Sequence, residues 1–258
     1  MKPFISVVIP SFNKVKYIGK TLDSIIKQDY PNLEVIIMDG GSTDGTLKII
    51  EKYTKKYPDI IKFESKADKG QRDALNKGFR KTRGKILTYI NADDVYQEGA
   101  FREIERLYRL NIDALWFAGR GNVMDSKGVT ITKWVTRYKN LFLLLNQKYL
   151  LLILNYLMQP SVFITRVAWR RFGPFIGTKK FVMEYDLWLK IAKVKMPIIT
   201  NKYLSSFRIE SSTITKKSSD ILLEEDEKVV KKYTSNQLIL LLHRFNNLLR
   251  VATIRTIK

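Results

Sequence analysis

Two hydrophobic periods alternate through roughly the first 120 residues of this chain, and a polar cluster closes several of the apolar runs. Ile5 to Ile9 is a short β-branched run of the kind that forms a buried strand. From Tyr17 onward, Ile18, Leu22, Ile25 and Ile26 recur at helical spacing and make one apolar face. Leu33 to Met38 is a second strand-like run, ending at Asp39 and the turn sequence GGSTDGT. The same reading predicts a helix from Thr46 to about Tyr57, a strand around Ile61 to Glu64 and a helix around Asp73 to Arg80. A strand over Ile86 to Ile90 and a helix from about Gly99 to Leu110 follow. Alternation with short connections argues for an α/β fold whose mainly parallel sheet is covered on both faces. Ligands of such sheets sit beyond the carboxyl ends of the strands. Ser11–Asn13, Asp39–Asp44 and Asn91–Asp94 all fall at such ends.

The second half is less regular. Asp113 to Val123 reads as a strand, and DSKG at 125–128 as a hairpin turn before a strand over Val129 to Val135. Residues 141–158 are strongly apolar but interrupted by Asn146, Gln147 and Lys148, and 160–215 mix strands and helices. In the tail, Leu238, Leu241, Leu242, Phe245, Leu248, Leu249 and Ala252 repeat at helical spacing, accompanied by Arg244, Arg250, Arg255 and Lys258. That is a basic amphipathic helix, suited to an anionic membrane surface or to packing against the rest of the protein.

Composition narrows the chemistry. With no cysteine and one histidine, His243, thiolate metal sites and histidine-based triads are excluded. A divalent metal must then be held by oxygen, which selects Mg²⁺ or Mn²⁺ over zinc. The net charge of +21 attracts polyanions, whether nucleic acid, an anionic bilayer or phosphate-bearing substrates. The basic residues are dispersed and no nucleic-acid-reading motif appears, so no nucleic-acid partner is expected. MKPFISVVIPSF does not read as a signal peptide, and no apolar run reaches the length of about 18 residues that spans a bilayer. The expected location is cytoplasmic, with peripheral attachment to the inner face of the cytoplasmic membrane.

Three clusters carry chemistry. In NADD at 91–94, the adjacent carboxylates Asp93 and Asp94 repel one another unless a cation lies beside them; equally, Asp is a common helix cap. Asp39, before its glycine-rich loop, can accept hydrogen bonds from a base or ribose, or the segment is a plain strand-to-helix loop. In MEYDLWLKIAK at 183–193, Glu184 and Asp186 precede a helical face of Leu187, Trp188 and Ile191. Either acid suits a general base, or a first-turn acid favoured by the helix dipole. Neither GxGxxG nor GxxxxGK[ST] occurs.

In order along residues 4–215, SVVIPSFNKVKYIGKTLDSIIKQDYPNLEVIIMDGGSTDGT, DKGQRDALNKGF, GKILTYINADD, QPSVFITR with MEYDLWLKIA, and FRIESSTIT resemble the family 2 glycosyltransferases. The resemblance implies a GT-A fold: residues 1–120 as a nucleotide-sugar-binding half, 121–215 as an acceptor-side half, and 216–258 as a basic helical extension. It implies transfer of a sugar, with inversion, from a nucleotide-sugar donor (UDP being commonest) to a glycan or lipid-linked acceptor. Pro10, Ser11 and Asn13 would line the nucleotide pocket, Asp39 would contact the base, and Gly70, Gln71 and Asp73 would close over the donor. Asn91 and Asp93 would lie by the ribose and diphosphate, with Asp94 and Asp93 at the metal. Glu184 would be the base, with Asp186 the alternative, because Glu stands where relatives usually carry Asp. Arg208 would neutralise phosphate charge or pair with Glu210; relatives often carry a histidine after it, where this chain has Ile209 and Glu210. The alternative implied is a non-catalytic binder of sugar nucleotides or polyanions.

Overall fold

The structure, a computed structural model, describes residues 2–131, 133–176, 182–209 and 219–256. Glu210, the expected domain boundary at 215 and Lys258 lie outside the described residues.

Four strands build the first half: β1 (Ile5–Ser11), β2 (Leu33–Asp39), β3 (Ile61–Ser65) and β4 (Ile86–Tyr89). They run parallel in the order β3-β2-β1-β4, joined by α1 (Ile18–Ile26), α2 (Thr46–Lys56) and α3 (Gln71–Lys81). After β4 come the two-residue β5 (Val95–Tyr96) and α4 (Ala100–Leu110). Because side chains alternate along a strand, each apolar run feeds two cores. Val7, Ile9, Val35 and Ile37 pack with Ile18, Leu22, Phe101 and Ile104, whereas Val8, Ile36 and Met38 pack with Leu75 and Phe79 of α3. Each such side chain contributes about 1.5–3 kcal/mol by leaving water. Helix α3 lies close on β1: a Cβ added at Gly78 would stand 2.4 Å from Val8 Cγ1.

The sheet then continues through β8 (Val162–Thr165), β6 (Trp116–Met124), β9 (Ile198–Arg208) and β5, with β7 (Thr130–Ile131) beside β6. Here pairing is mixed: β6 and β9 are parallel, while β8 is antiparallel to both β4 and β6. The strand expected over Val129 to Val135 is corrected to β7 alone, since α5 (Lys133–Leu145) begins immediately after it. Thr136, Asn140 and Leu143 supply the reason, burying themselves at helical spacing. The Asn140 amide also serves the backbone of Gly121, accepting from its N–H at 3.3 Å and donating to its carbonyl at 3.2 Å. The apolar 141–158 segment turns at Asn146 into the short α6 (Lys148–Ile153).

Helices α7 (Arg166–Phe172) and α8 (Met183–Ala192) cover the second core, and α9 (Ser219–Val230) and α10 (Gln237–Thr256) complete the chain. Val229, Val230 and Leu240 join the same cluster as Leu187 and Trp188 of α8. The C-terminal helices are therefore packed in part into the core of the fold. Among the described residues no helix is long and apolar enough to cross a membrane.

Candidate active site

The loops after β1 and β2 are stapled together. Asn13, held at φ +50, donates its N–H to Ser42 Oγ at 2.8 Å and accepts from Thr43 N–H at 2.9 Å. Lys14 N–H donates to Thr46 Oγ1, and Val15 N–H to Asp44. Asp39 is buried and spends its carboxylate on this frame, accepting from the N–H groups of Gly41 and Ser42 and from the hydroxyls of Ser42 and Ser65. Among the described residues the hydroxyl of Ser42 is the one partner on Oδ1, which keeps capacity for a further donor. Pro10 and Ser11 end β1 beside it, paired with Met38 and Asp39. Among the described residues the buried Ser11 Oγ has no hydrogen-bond partner, a polar atom left for a ligand to satisfy.

Gly70 opens α3 at φ +95, ψ 178, a conformation essentially reserved to glycine, with its N–H on Asp68. This turn lets Gln71 Nε2 donate to Asn91 Oδ1 at 2.6 Å, tying the helix to NADD. Asp73 is engaged locally, accepting from Lys69 N–H and pairing with Lys77 at 2.7 Å.

The two NADD carboxylates point to different places. Asp94 is fully buried; its oxygens accept from Arg208 N–H at 2.7 Å and from Asn91 Nδ2 at 3.1 Å. Burial, reinforced by Asp93, pushes its carboxyl well above the usual range. The Asp93 side chain keeps 18% exposure at the cleft and pairs with the Lys14 ammonium. Arg208 is buried and committed to backbone: Nε donates to Asp93 O at 2.8 Å, Nη1 to Asp125 O and Ser126 O, and its guanidinium stacks on Tyr17. It fastens the NADD loop to β9 and to the β6–β7 turn. Among the described residues no group of three or more acidic or histidine side chains could cage a metal. The partly exposed Asp93 carboxylate is compatible with Mg²⁺ or Mn²⁺, which take one or two carboxylates and complete their shell with substrate phosphate and water.

Glu184 and Asp186 do not precede α8, as expected, but occupy its first turn. One turn of helix sends them to different environments. Glu184 is half-buried, and burial raises its carboxyl to about 7, with Asp226 pushing the same way and its own backbone N–H and Lys139 opposing. The buried phenol of Tyr89, at the end of β4, lies in the field of both Glu184 and Asp94 and is held protonated. Asp186 is buried against the tail: its carboxylate pairs with Lys190 at 2.8 Å and Lys232 at 3.4 Å and accepts from Tyr233 Oη at 3.0 Å. Burial alone would raise its pKa, but these cationic and hydroxyl partners outweigh it and hold the group below the usual carboxylate range. Its contribution to stability is therefore present above that range and is lost as pH falls through the depressed value. Asp186→Ala is expected to cost about 1–3 kcal/mol in denaturant unfolding, because the Tyr233 hydroxyl and the Lys190 ammonium lose their shared acceptor, while leaving nucleotide affinity unchanged by calorimetry.

Sequence reasoning passed over two residues at this cleft. Phe12 is 60% exposed between the first two loops, and a Cβ on Gly40 would meet both its ring and the Asp68 carboxylate. Lys14 reads as one more surface lysine until Asp93 is placed beside it. A large exposed aromatic directly after Pro10 and Ser11 was the available signal for the first of them.

The glycosyl transferase family 2 profile matches residues 6–169, more than half of the sequence. The chain belongs to glycosyl transferase family 2. As a family 2 glycosyltransferase it is an enzyme of the hexosyltransferase type. It is 28% identical to an uncharacterised glycosyltransferase of Rickettsia prowazekii over 247 residues, 93% of this chain and 75% of the relative. It is 26% identical to the chondroitin synthase of Escherichia coli over 90% of this chain, though only 33% of that larger protein. Among solved structures, a mannosyltransferase of Pyrobaculum calidifontis in complex with GDP-Man and Mn²⁺ superposes with a TM-score of 0.70 at 18% identity, covering 98% of this chain and 73% of that one. S. aureus TarS in complex with UDP-GlcNAc gives 0.63 at 15% identity, covering 97% and 72%. These likenesses give the family 2 enzyme a GT-A fold.

Proposed function

We propose that this family 2 enzyme transfers a hexosyl group, with inversion, from a UDP-sugar to a hydroxyl of a growing cell-surface glycan or lipid-linked saccharide. One observation supports the reading above the others: Asp93 keeps a partly open carboxylate beside the Lys14 ammonium, where the NADD loop meets the stapled loops after β1 and β2. Structural neighbours solved with UDP-GlcNAc or GDP-Man, and a chondroitin synthase among the relatives, favour nucleotide-sugar chemistry of this class.

The base stacks on Phe12 and donates to the spare capacity of Asp39, while the Ser11 hydroxyl and the Asn13 loop line the pocket. Gln71 and Asn91 hold the entrance of α3 against the donor. Asp93, rather than the inward-turned Asp94, meets Mg²⁺ or Mn²⁺, and Asp94 keeps the loop in place through Arg208 N–H. A cation held by Asp93 would supply positive charge to offset that developing on the departing diphosphate. Lys14 adds a second positive charge at the same point. Glu184 takes the acceptor proton as its oxygen attacks the anomeric carbon. The new C–O bond forms opposite the bond to the nucleoside diphosphate, which leaves with its electron pair. Asp186 holds α8 to the tail and takes no part in proton transfer.

Calorimetric titration of UDP and of GDP, each with Mn²⁺ and with chelator, tests the donor side. Metal-dependent binding of UDP in preference to GDP is the expected result; failure of folded protein to bind either would overturn the reading.

A further inference from the structure

Helix α10 is built inside out. Its inward stripe carries Leu240, His243 and Asn247, all buried. The two polar members satisfy one another and the adjoining α6: Asn247 Nδ2 donates to His243 Nε2 at 2.9 Å, and His243 Nδ1 donates to Ile153 O at 3.2 Å. This arrangement holds His243 as one neutral tautomer. The outward stripe is the apolar one. Leu238, Leu241, Leu242, Phe245, Leu248 and Leu249 are between 40% and 64% exposed. The neighbouring α5–α6 pair adds exposed Leu145 and Tyr149. Soluble domains do not ordinarily leave a contiguous apolar face of this kind in water.

Charge selects the phase that covers it. Residues 126–183, which include α5 and α6, contain no acidic residue, and neither do residues 228–258. On α9, Glu227 pairs with Arg244 and Lys231, and Glu224 with Lys228. A leucine-rich face flanked by basic segments without acids is complementary to an anionic bilayer: leucines enter the acyl boundary while lysines and arginines remain at the headgroups. A second copy of the same face would instead bring two basic segments together. We propose that the outer face of α10, with the α5–α6 edge, docks on anionic lipid. The same α6 anchors the catalytic helix, since Tyr185 Oη donates to Leu151 O at 2.7 Å. Docking there would set the Glu184 side of the cleft at the membrane.

The test is co-flotation of the full chain with vesicles of phosphatidylcholine alone or mixed with phosphatidylglycerol, at physiological ionic strength. Wild-type protein is expected to partition onto the mixed vesicles, and Leu241→Glu with Phe245→Glu to lower that partitioning about tenfold or more. Both side chains face solvent, so the double variant should retain the wild-type melting temperature and UDP affinity. Equal flotation of variant and wild type overturns the proposal. So does a wild-type dimer in light scattering that the variant dissolves, without vesicle binding by either.

Discussion

Glu184→Gln is expected to lower kcat by about 10²–10⁴-fold while leaving UDP affinity within about twofold of wild type. The glutamine keeps the size and the half-buried seat of the side chain and removes only its ability to accept a proton. The pH dependence carries the sign. The folded carboxyl titrates near 7, raised chiefly by burial, so the wild-type rate should climb as pH rises through that value and level off above it. The variant should show no such limb. Stability runs the opposite way: ionising a group with a raised pKa costs folding free energy, and that cost grows from the ordinary glutamate range up to about 7. Above neutrality Glu184→Gln should therefore melt no lower than wild type. A variant with near-normal kcat, or an unchanged acid limb, would remove Glu184 from the reaction and return attention to Asp186.

The second large effect separates the neighbours in NADD. Asp93→Asn is expected to abolish the Mn²⁺ dependence of UDP binding and to lower turnover by about 10²–10³-fold, the usual cost of losing one charge-stabilising group. Unfolding should change by less than about 1 kcal/mol, since the carboxylate is partly exposed and paired with a lysine. Asp94→Ala should behave differently, losing about 1–3 kcal/mol of stability because the Arg208 N–H and Asn91 amide are left without a partner. Equal metal dependence in wild type and Asp93→Asn, measured calorimetrically, would shift the cation onto Asp94 and require the loop to open.

How much of this was readable before the structure depends on distance along the chain. From β1 to β4 each element is local: the periods of Ile5–Ile9, Ile18–Ile26 and Leu33–Met38 name their own structure, whereas the order that sets β4 beside β1 is a matter of packing. In the second half the deciding contacts are remote. Trp134 and Val135 look like strand residues, but Asn140 is needed by Gly121 on β6, and that contact makes the segment a helix. The partition of roles between Glu184 and Asp186 was equally hidden. Both acids suit a first helical turn, and only Tyr233 and Lys232, brought up from the tail, distinguish them. Asp93 and Asp94 look interchangeable as letters, and the Arg208 N–H that captures one of them lies 114 residues away. What was legible was the set of chemical groups; what was not was the direction each one points.

The Asp186 cluster also bears on how this enzyme can be altered. Its tail is not an accessory clipped to a finished catalyst, because Val229, Val230 and Leu240 are laid into the same wall as Trp188. Grafting a foreign tail for a different destination would therefore have to reproduce Tyr233 and Lys232 as well as the outer leucines. Trimming the chain after β9 would leave α8, with Asp186, Leu187 and Trp188, resting on open water.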